Sequence, residues 1–402
     1  MPWWKGNIHT HSLWSDGNDF PEMIADWYRS HDYHFLALSD HNILSEGVRW
    51  MSHDQIIARG GKDVMKKYRD RFGDDWVETR GQTGTKSHAV RLKPLNEFRT
   101  LLEKPGEFLM MPGEEISDRA EGRPVHMNAT NLKRLIAPLG GATVREAMTN
   151  NLRAAEQQAQ KEGREILVHL NHPNFGYAVT AEDLAAVLAE RFFEVYNGHP
   201  GVNQLGDAQH AGVERIWDIA NTLRIAKFHA PPLWGVGTDD SHHYHGRGGS
   251  RTGRGWVMVQ AQHLKPESLI KAMKAGRFYA SSGVELEKVS LEKFVLQLKI
   301  KPQPKATYVT QFIGTTTDYD GQSQPVLDKN GKPVRATRRY SVDVGKVLAT
   351  AKGLNPQYKL TGKELYVRAV VTSSLPHRDP SYKNQKRQAW TQPAGWEKHL
   401  EK

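Results

Sequence analysis

Short apolar runs that stop at histidine and acidic residues constrain this chain more than any other feature. Phe35-Leu36-Ala37-Leu38 ends at Ser39-Asp40-His41, and Phe108-Leu109-Met110-Met111 ends at Pro112-Gly113-Glu114-Glu115. Ile166-Leu167-Val168 ends at His169 to His172, and Phe192-Phe193-Glu194-Val195 at Tyr196-Asn197-Gly198-His199. Leu233-Trp234-Gly235-Val236 ends at a cluster holding Asp240 and His242. Buried parallel strands read this way, and functional groups gather at their C-terminal ends. Helical patterns lie between them. Phe20 to Arg29 has Pro21 where a first helical turn tolerates it. Thr143 to Lys161 is polar and Ala-rich, and Gly163 can stop it. Thr180-Ala181-Glu182-Asp183 resembles a capping box before Leu184 to Leu188. This alternation predicts an α/β barrel or open sheet.

At 402 residues the chain is too long for one ordinary core, so two domains are expected. The boundary falls where the texture changes, at about residue 285. Beyond it Val289 to Ile300 and Leu365 to Val371 alternate, and Asp320-Gly321, Asn330-Gly331 and Thr361-Gly362-Lys363 mark turns. Residues 286–402 are therefore expected to form an all-β, sandwich-like accessory domain. Residues 1–285 form the other unit, interrupted at about 50–95. There Gly60-Gly61 precedes a charged helical stretch, Lys62 to Arg71, and two β-like runs at Trp76 to Arg80 and Ala89 to Leu92 suggest a hairpin. Such an insertion is either a substrate-selecting lid or a decoration.

Charge divides the chain in the same place. Residues 299–402 hold 19 Lys and Arg against 8 Asp and Glu, whereas 17 of the 19 His precede residue 299. The chemistry is expected in the N-terminal part. The basic C-terminal part is a solvated surface, or a contact for a glycan or polyanion. The Lys and Arg are scattered, which argues against a dedicated nucleic-acid surface. No run of about 18 apolar residues predicts a membrane span. A soluble protein is expected, cytoplasmic or exported after removal of a leader. The oligomeric state is not legible.

The chain has no cysteine, so any metal must be held by His, Asp and Glu. His9-Thr10-His11, followed by Ser15-Asp16-Gly17, offers two imidazoles and a carboxylate. Ser39-Asp40-His41, Glu114-Glu115, Val125-His126, Asn171-His172-Pro173 and Asp239-Asp240-Ser241-His242 add further donors. Six such clusters point to a multinuclear metal site. Strand alternation sends Glu114 and Glu115 to opposite faces, so only one of them is a ligand. Asp239 and Asp240 pose the same choice, and the Asp-x-His spacing favours Asp240.

The order of these motifs resembles the PHP (polymerase and histidinol phosphatase) family over residues 5–285, in the branch of carbaryl-hydrolase-like proteins and tryptophan-operon-type phosphoesterases. The resemblance implies a distorted (β/α)7 barrel with two or three divalent metals. It implies that His9 and His11 hold a first metal with Asp240 and a bridging Glu115. His126 and His172 complete a second, sharing Glu115, and Asp16, His41 and His242 hold a third. Glu115 is favoured over Glu114 because the family's Glu stands just before a strand-ending Ile or Val. Tyr366 to Ala369 and Ala389 to Pro393 look like that branch's C-terminal β domain. His169 is expected beside the ligands or in the core. His243 and His245 extend the last cluster, as ligands, proton donors or solvated side chains. His31, His34, His53, His88 and His210 have no supporting context.

Zn, Mn and Fe all suit mixed imidazole and carboxylate ligands. A metal-bound hydroxide is expected to attack a small anionic substrate, a phosphomonoester or phosphodiester. His199 is the candidate substrate contact. Arg251 and Arg254 are candidates to fork onto phosphate from the loop Gly246-Arg247-Gly248-Gly249-Ser250-Arg251-Thr252-Gly253-Arg254-Gly255. Carboxylic or carbamate ester hydrolysis on the same metals is the alternative. A glycan- or polyanion-binding protein with a structural metal site is the other.

Overall fold

The computed structural model describes residues 1–246 and 248–400; Arg247 of the Gly-rich loop and the last two residues lie outside them. The chain is mixed α/β. Nine strands build its N-terminal part: β1 Trp3–Asn7, β2 Phe35–Leu38, β3 Leu109–Ala120, β4 Arg123–Thr130, β5 Leu167–Leu170, β6 Phe192–Asn197, β7 Trp234–Thr238, β8 Trp256–Gln260 and β9 Phe278–Ser281. They hydrogen-bond in the order β7-β6-β5-β4-β3-β2-β1-β8-β9. The pairs β1–β2, β2–β3, β5–β6 and β6–β7 are parallel, whereas β4 and β8 run antiparallel to both neighbours. The sheet curls, bringing β7 at one end of this order against β8 and β9. A Cβ added to Gly237 would meet Trp256 O at 2.9 Å and Ser281 N at 3.4 Å, so glycine allows that approach.

The apolar runs become buried strands. All four residues of β2 and all six of β6 are buried. β3 is the exception in length: the apolar run predicts an end near Met111, but the strand continues to Ala120. Pro112 stands at the last register with β2, opposite Leu38. Beyond it the strand pairs with β4 through a two-residue turn in which Glu121 (φ 52°) and Gly122 (φ 70°) both take positive φ. Glu115 thus sits inside a long hairpin.

The expected helices form with their caps. Pro21–Ser30 opens on its proline. Thr143 caps Val144–Glu162 by accepting from Glu146 N, and Gly163 ends that helix in left-handed geometry. The capping box closes between Thr180 and Asp183 at the head of Ala181–Ala186.

The segment after β2 has its own three-stranded sheet, with Ala89–Leu92 between Arg49–Ser52 and Thr79–Arg80. Helices His53–Gly60 and Val64–Phe72 accompany it. Its core residues Ile56, Tyr68 and Val90 pack with Leu13, Trp14 and Phe20, beneath the loop that follows His11. Arg59 donates to Ser15 O on that loop.

From Leu286 onward the described residues form strands and one short 3₁₀ turn. The alternating stretch Val289 to Ile300 is a hairpin, Leu286–Glu292 with Val295–Ile300. It turns at Lys293 (φ 49°) and Phe294 (φ 61°), which carry none of the usual turn residues. Four more strands are β10 Tyr308–Thr316, β11 Lys346–Lys352, β12 Glu364–Pro376 and β13 Lys386–Thr391. They continue the same sheet beyond β9 in the order β13-β12-β10-β11. Between the two parts lies helix Val213–Ala226, buried along most of its length. Its Asp218 accepts from Arg368 Nε at 2.8 Å, Arg368 Nη2 at 2.7 Å and Tyr366 Oη at 2.8 Å. Removing one member of such a buried pair costs about 3–5 kcal/mol, so this contact ties β12 to the helix.

Candidate metal centre

The ends of β1, β2, β5 and β7 and the inner faces of β3 and β4 bring nine side chains together: His9, His11, Asp16, His41, Glu115, His126, His172, Asp240 and His242. Each belongs to at least one group of donor atoms lying within 4.8 Å of one another. Four donors face one point. His9 Nε2 and His11 Nε2 each lie 3.3 Å from Asp240 Oδ1, and 3.6 and 3.4 Å from Glu115 Oε2. The second carboxylate oxygen, Glu115 Oε1, faces His126 Nδ1 at 3.0 Å and His172 Nε2 at 3.4 Å. Asp16, half-exposed, faces His11 Nδ1 at 3.7 Å, His41 Nε2 at 3.5 Å and His242 Nε2 at 3.3 Å. His11 is stacked between His41 and His242, with centroids 4.4 and 4.0 Å away.

These residues fit divalent cations. His9 Nε2, both ring nitrogens of His11 and Glu115 Oε2 are buried without a hydrogen-bond partner. Orphaned buried polar atoms are rare and need a reason. Ligands bound at about 2.1 Å around one ion stand about 3.0–3.4 Å from each other, close to the spacings of the first group. Electrostatics agrees. Burial opposes charge on Glu115, but His126, His41 and His9 outweigh it and hold the carboxyl well below its usual range. Asp240 is held low in the same way, against burial, by His9, His11 and His242. Burial likewise opposes the charged form of His41, yet Glu115 and Asp16 raise it to about 11. Burial, with His242 and His41 nearby, pushes His11 down to about 3. Asp16, Glu115 and Asp240 thus stay charged among the imidazoles, and the protons those imidazoles hold supply the positive charge that a bound cation would replace.

Local structure explains each placement. Asp40 is turned away from the donors. It accepts from Ser12 N and Ser12 Oγ at 2.7 Å and from Ser15 Oγ at 2.6 Å, fixing the loop between His11 and Asp16. Glu114, on the opposite face from Glu115, accepts from Ile136 N at 2.7 Å. Burial raises its carboxyl to about 8. Asp239 accepts from Tyr28 Oη and from the backbone N–H groups of Gly253, Arg254 and Gly255. It organises the Gly-rich loop, while Asp240, in left-handed geometry (φ 48°), turns to the histidines.

A polar frame around the donors escaped sequence reasoning. Glu194 Oε1 lies 2.6 Å from His9 Nδ1, which leaves His9 Nε2 as the free donor atom. Glu194 also accepts from Thr238 Oγ1, His172 N and Asn197 Nδ2. Asn171 Nδ2 donates to Glu115 Oε1 at 2.8 Å, and Asn197 Nδ2 to Asp240 Oδ2 at 3.0 Å. The available signal was a glutamate inside a fully buried strand, which requires a partner. Fully buried His169 lies 3.5 Å from Glu194 Oε1 and belongs to this frame.

The remaining candidates divide. His199 lies at the mouth, its ring centroid 5.8 Å from that of His242. Gly201 N donates to His199 Nδ1 at 3.0 Å, so the neutral ring carries its proton on Nε2. Burial, reinforced by His242 and opposed by Asp240, lowers its pKa. Arg251 and Arg254 are engaged elsewhere. Arg251 Nη2 reaches Asp379 Oδ1 at 2.7 Å. Arg254, 2% exposed, donates to Asp379, Gly198 O and Gly249 O. Its fork is occupied within the protein. His243 and His245 bind Ser250 and Asn18 backbone atoms. His31 stacks on Trp27, His53 on His88, and His210 on Tyr177, while His34 accepts from Lys5 N.

No protein-family model matches the chain, and no curated protein does. Solved structures similar to it include these two. One is a two-domain protein from Bacteroides vulgatus containing a predicted PHP-like metal-dependent phosphoesterase. It is 16% identical with a TM-score of 0.40, over 98% of this chain and 95% of that one. The other, from Bifidobacterium adolescentis, is named as a metal-dependent phosphoesterase by inference. It is 15% identical with a TM-score of 0.30, over 61% of this chain and 90% of that one. Among the described residues no helix is long and apolar enough to cross a membrane.

Proposed function

We propose that this chain is a metal-dependent phosphoesterase. Residues 1–285 form a distorted (β/α)7 barrel, interrupted at about 50–95, and residues 286–402 a β-sandwich-like accessory domain. The observation that carries this reading is the convergence of nine ligand-type side chains around orphaned buried nitrogen and oxygen atoms.

His9, His11, Glu115 and Asp240 would hold one ion, His126, His172 and Glu115 a second, and Asp16, His41 and His242 a third. Zn, Mn and Fe all suit this donor set. Such ions lower the pKa of water from about 15.7 toward 7 and neutralise charge on ester oxygens, which suits an anionic phosphoester best. Glu194 keeps His9 in one tautomer and orientation, a device that raises ligand basicity. Asn171 and Asn197 hold the carboxylates of Glu115 and Asp240. His199 presents Nε2–H at the mouth, where it donates a hydrogen bond to a substrate oxygen. Asp239 and the Arg254–Asp379 pair fix the loop behind it.

The test compares metal-stripped and metal-restored protein on matched p-nitrophenyl phosphomonoester, phosphodiester and carboxylic ester. Metal-dependent release from a phosphate ester is expected. Release from the carboxylic ester alone reassigns the site to ester or carbamate hydrolysis. In the active case, His199→Ala is expected to lower kcat/KM by about 10–100-fold, the loss of one hydrogen bond to a charged oxygen, with metal content unchanged.

A further inference from the structure

Phe175 stands beside the donor cluster and is 38% exposed as a residue. It meets His172 edge-on, with centroids 5.1 Å apart and planes at 64°, and lies 6.2 Å from His126. Single exposed apolar side chains are common, so it is the position of Phe175 against two candidate ligands, not its exposure, that bears on function.

The backbone that carries it is held with care. Phe175 N donates to His172 O at 2.8 Å. Asn174 Nδ2 donates to Asn203 O and Ala211 O, and Asn203 Nδ2 returns a bond to Asn174 O. Arg123 Nη1 lies 3.4 Å from both Gly176 O and Tyr177 O. Gly176 (φ 59°), Tyr177 (φ 49°) and Asn203 (φ 51°) all take left-handed backbone. Two of those three are not glycine, so the surrounding bonds maintain a disfavoured conformation. The Tyr177 ring is locked face to face on His210 at 3.6 Å. A turn fixed this firmly, with its phenyl group left uncovered beside two candidate metal ligands, is a preorganised contact surface.

We propose that Phe175 is a stacking platform that makes this centre prefer phosphoesters whose substituent is a planar aromatic ring. The inference rests on the phosphoesterase reading. Anchored phosphate at His126 and His172 brings its nearest substituent to the Phe175 ring, and an offset-stacked or edge-on aromatic pair adds affinity beyond simple burial. Phe175 is a specificity-determining contact that neither binds metal nor moves a proton.

The test is calorimetric binding of phenylphosphonate and ethylphosphonate to the metal-loaded protein, which does not depend on turnover. Phenylphosphonate is expected to bind about three- to tenfold more tightly. Phe175→Leu is expected to remove that preference and leave ethylphosphonate affinity and metal content unchanged, while Phe175→Tyr keeps the preference. Equal affinities in the wild type, or a preference that survives Phe175→Leu, overturn the platform and leave the phosphoesterase reading standing. An equal loss of both ligands in Phe175→Leu assigns the ring to supporting His172 and also overturns it. Failure of both phosphonates to bind the wild type rejects the phosphoesterase reading itself, and the platform with it.

Discussion

Asp379 grips the buried guanidinium of Arg254 from 125 residues away, with Oδ2 accepting from Nε at 3.1 Å and Oδ1 from Nη2 at 3.2 Å. His377 reinforces the contact. Its Nδ1 accepts from Asp379 N, so its protonated Nε2 donates to Arg254 O. Arg254 in turn donates to Gly198 O, the carbonyl just before His199. The basic C-terminal part thus reaches the mouth of the metal centre through one acidic residue.

Asp379→Ala leaves Arg254 buried with part of its bonding lost. Asp379 is partly exposed, so the loss falls short of that for a fully buried pair, about 1.5–3 kcal/mol. Urea denaturation measures it. Metal content is expected to stay at the wild-type level, because no donor atom is touched, and His199-dependent turnover is expected to fall.

Metal stoichiometry separates the donors. Glu115 faces donors of all three groups, with His11 and His41 on Oε2 and His126 on Oε1, whereas Asp16 faces His41 and His242 and, at 3.7 Å, His11. Glu115→Ala is expected to lose at least two equivalents of metal by elemental analysis, and Asp16→Asn one. His9→Ala and Asp240→Ala lose the first ion. Full metal content in these variants would falsify the ligand assignment.

The parts of this architecture legible in the sequence are those with a local physical signature. A buried strand must be apolar, so β2 and β6 announce themselves. Histidine and acid at strand ends are chemically conspicuous, so His9, His41, His172 and Asp240 do as well. The full extent of β3 was hidden because Pro112 looks like a terminator, yet it falls where pairing with β2 already stops. The hairpin at Lys293 and Phe294 was hidden because its positive φ angles carry neither Gly nor Asn. The engagement of Arg251 and Arg254 with Asp379 is a contact across the chain, and no local pattern encodes it.

Glu22 makes stability depend on pH. It is fully buried on helix Pro21–Ser30, accepts from Tyr68 Oη and Trp76 Nε1, and has no partner for Oε2. Burial raises its carboxyl from the usual 4.5 to about 7, against the two hydrogen bonds. The folded protein therefore holds this proton more tightly than the unfolded chain. The resulting stabilisation is complete below about pH 4.5 and is lost as pH rises through 7, by up to about 3 kcal/mol. Glu22→Gln removes this contribution to the slope, so denaturation at pH 5 and pH 8 is expected to show the variant gaining on the wild type at the higher pH. A parallel pH dependence in both proteins would show that Glu22 does not titrate in this range.

Glu194 is the sharpest test of how the centre is held, because it orients the candidate ligand His9 through Nδ1, the ring nitrogen away from Glu115 and Asp240. Its Oε1 fixes His9 Nδ1 and also accepts from Thr238, while Oε2 fixes His172 N and Asn197. Glu194→Gln keeps the volume and one acceptor. It removes the charge that favours the His9 tautomer with Nε2 free, and places an N–H₂ group where an acceptor is needed. Partners of this kind are typically worth 10–100-fold in metal affinity. Chelator competition is therefore expected to show that loss in Glu194→Gln, with the circular-dichroism spectrum unchanged. Unaltered affinity would mean that the surrounding packing alone holds His9 in place.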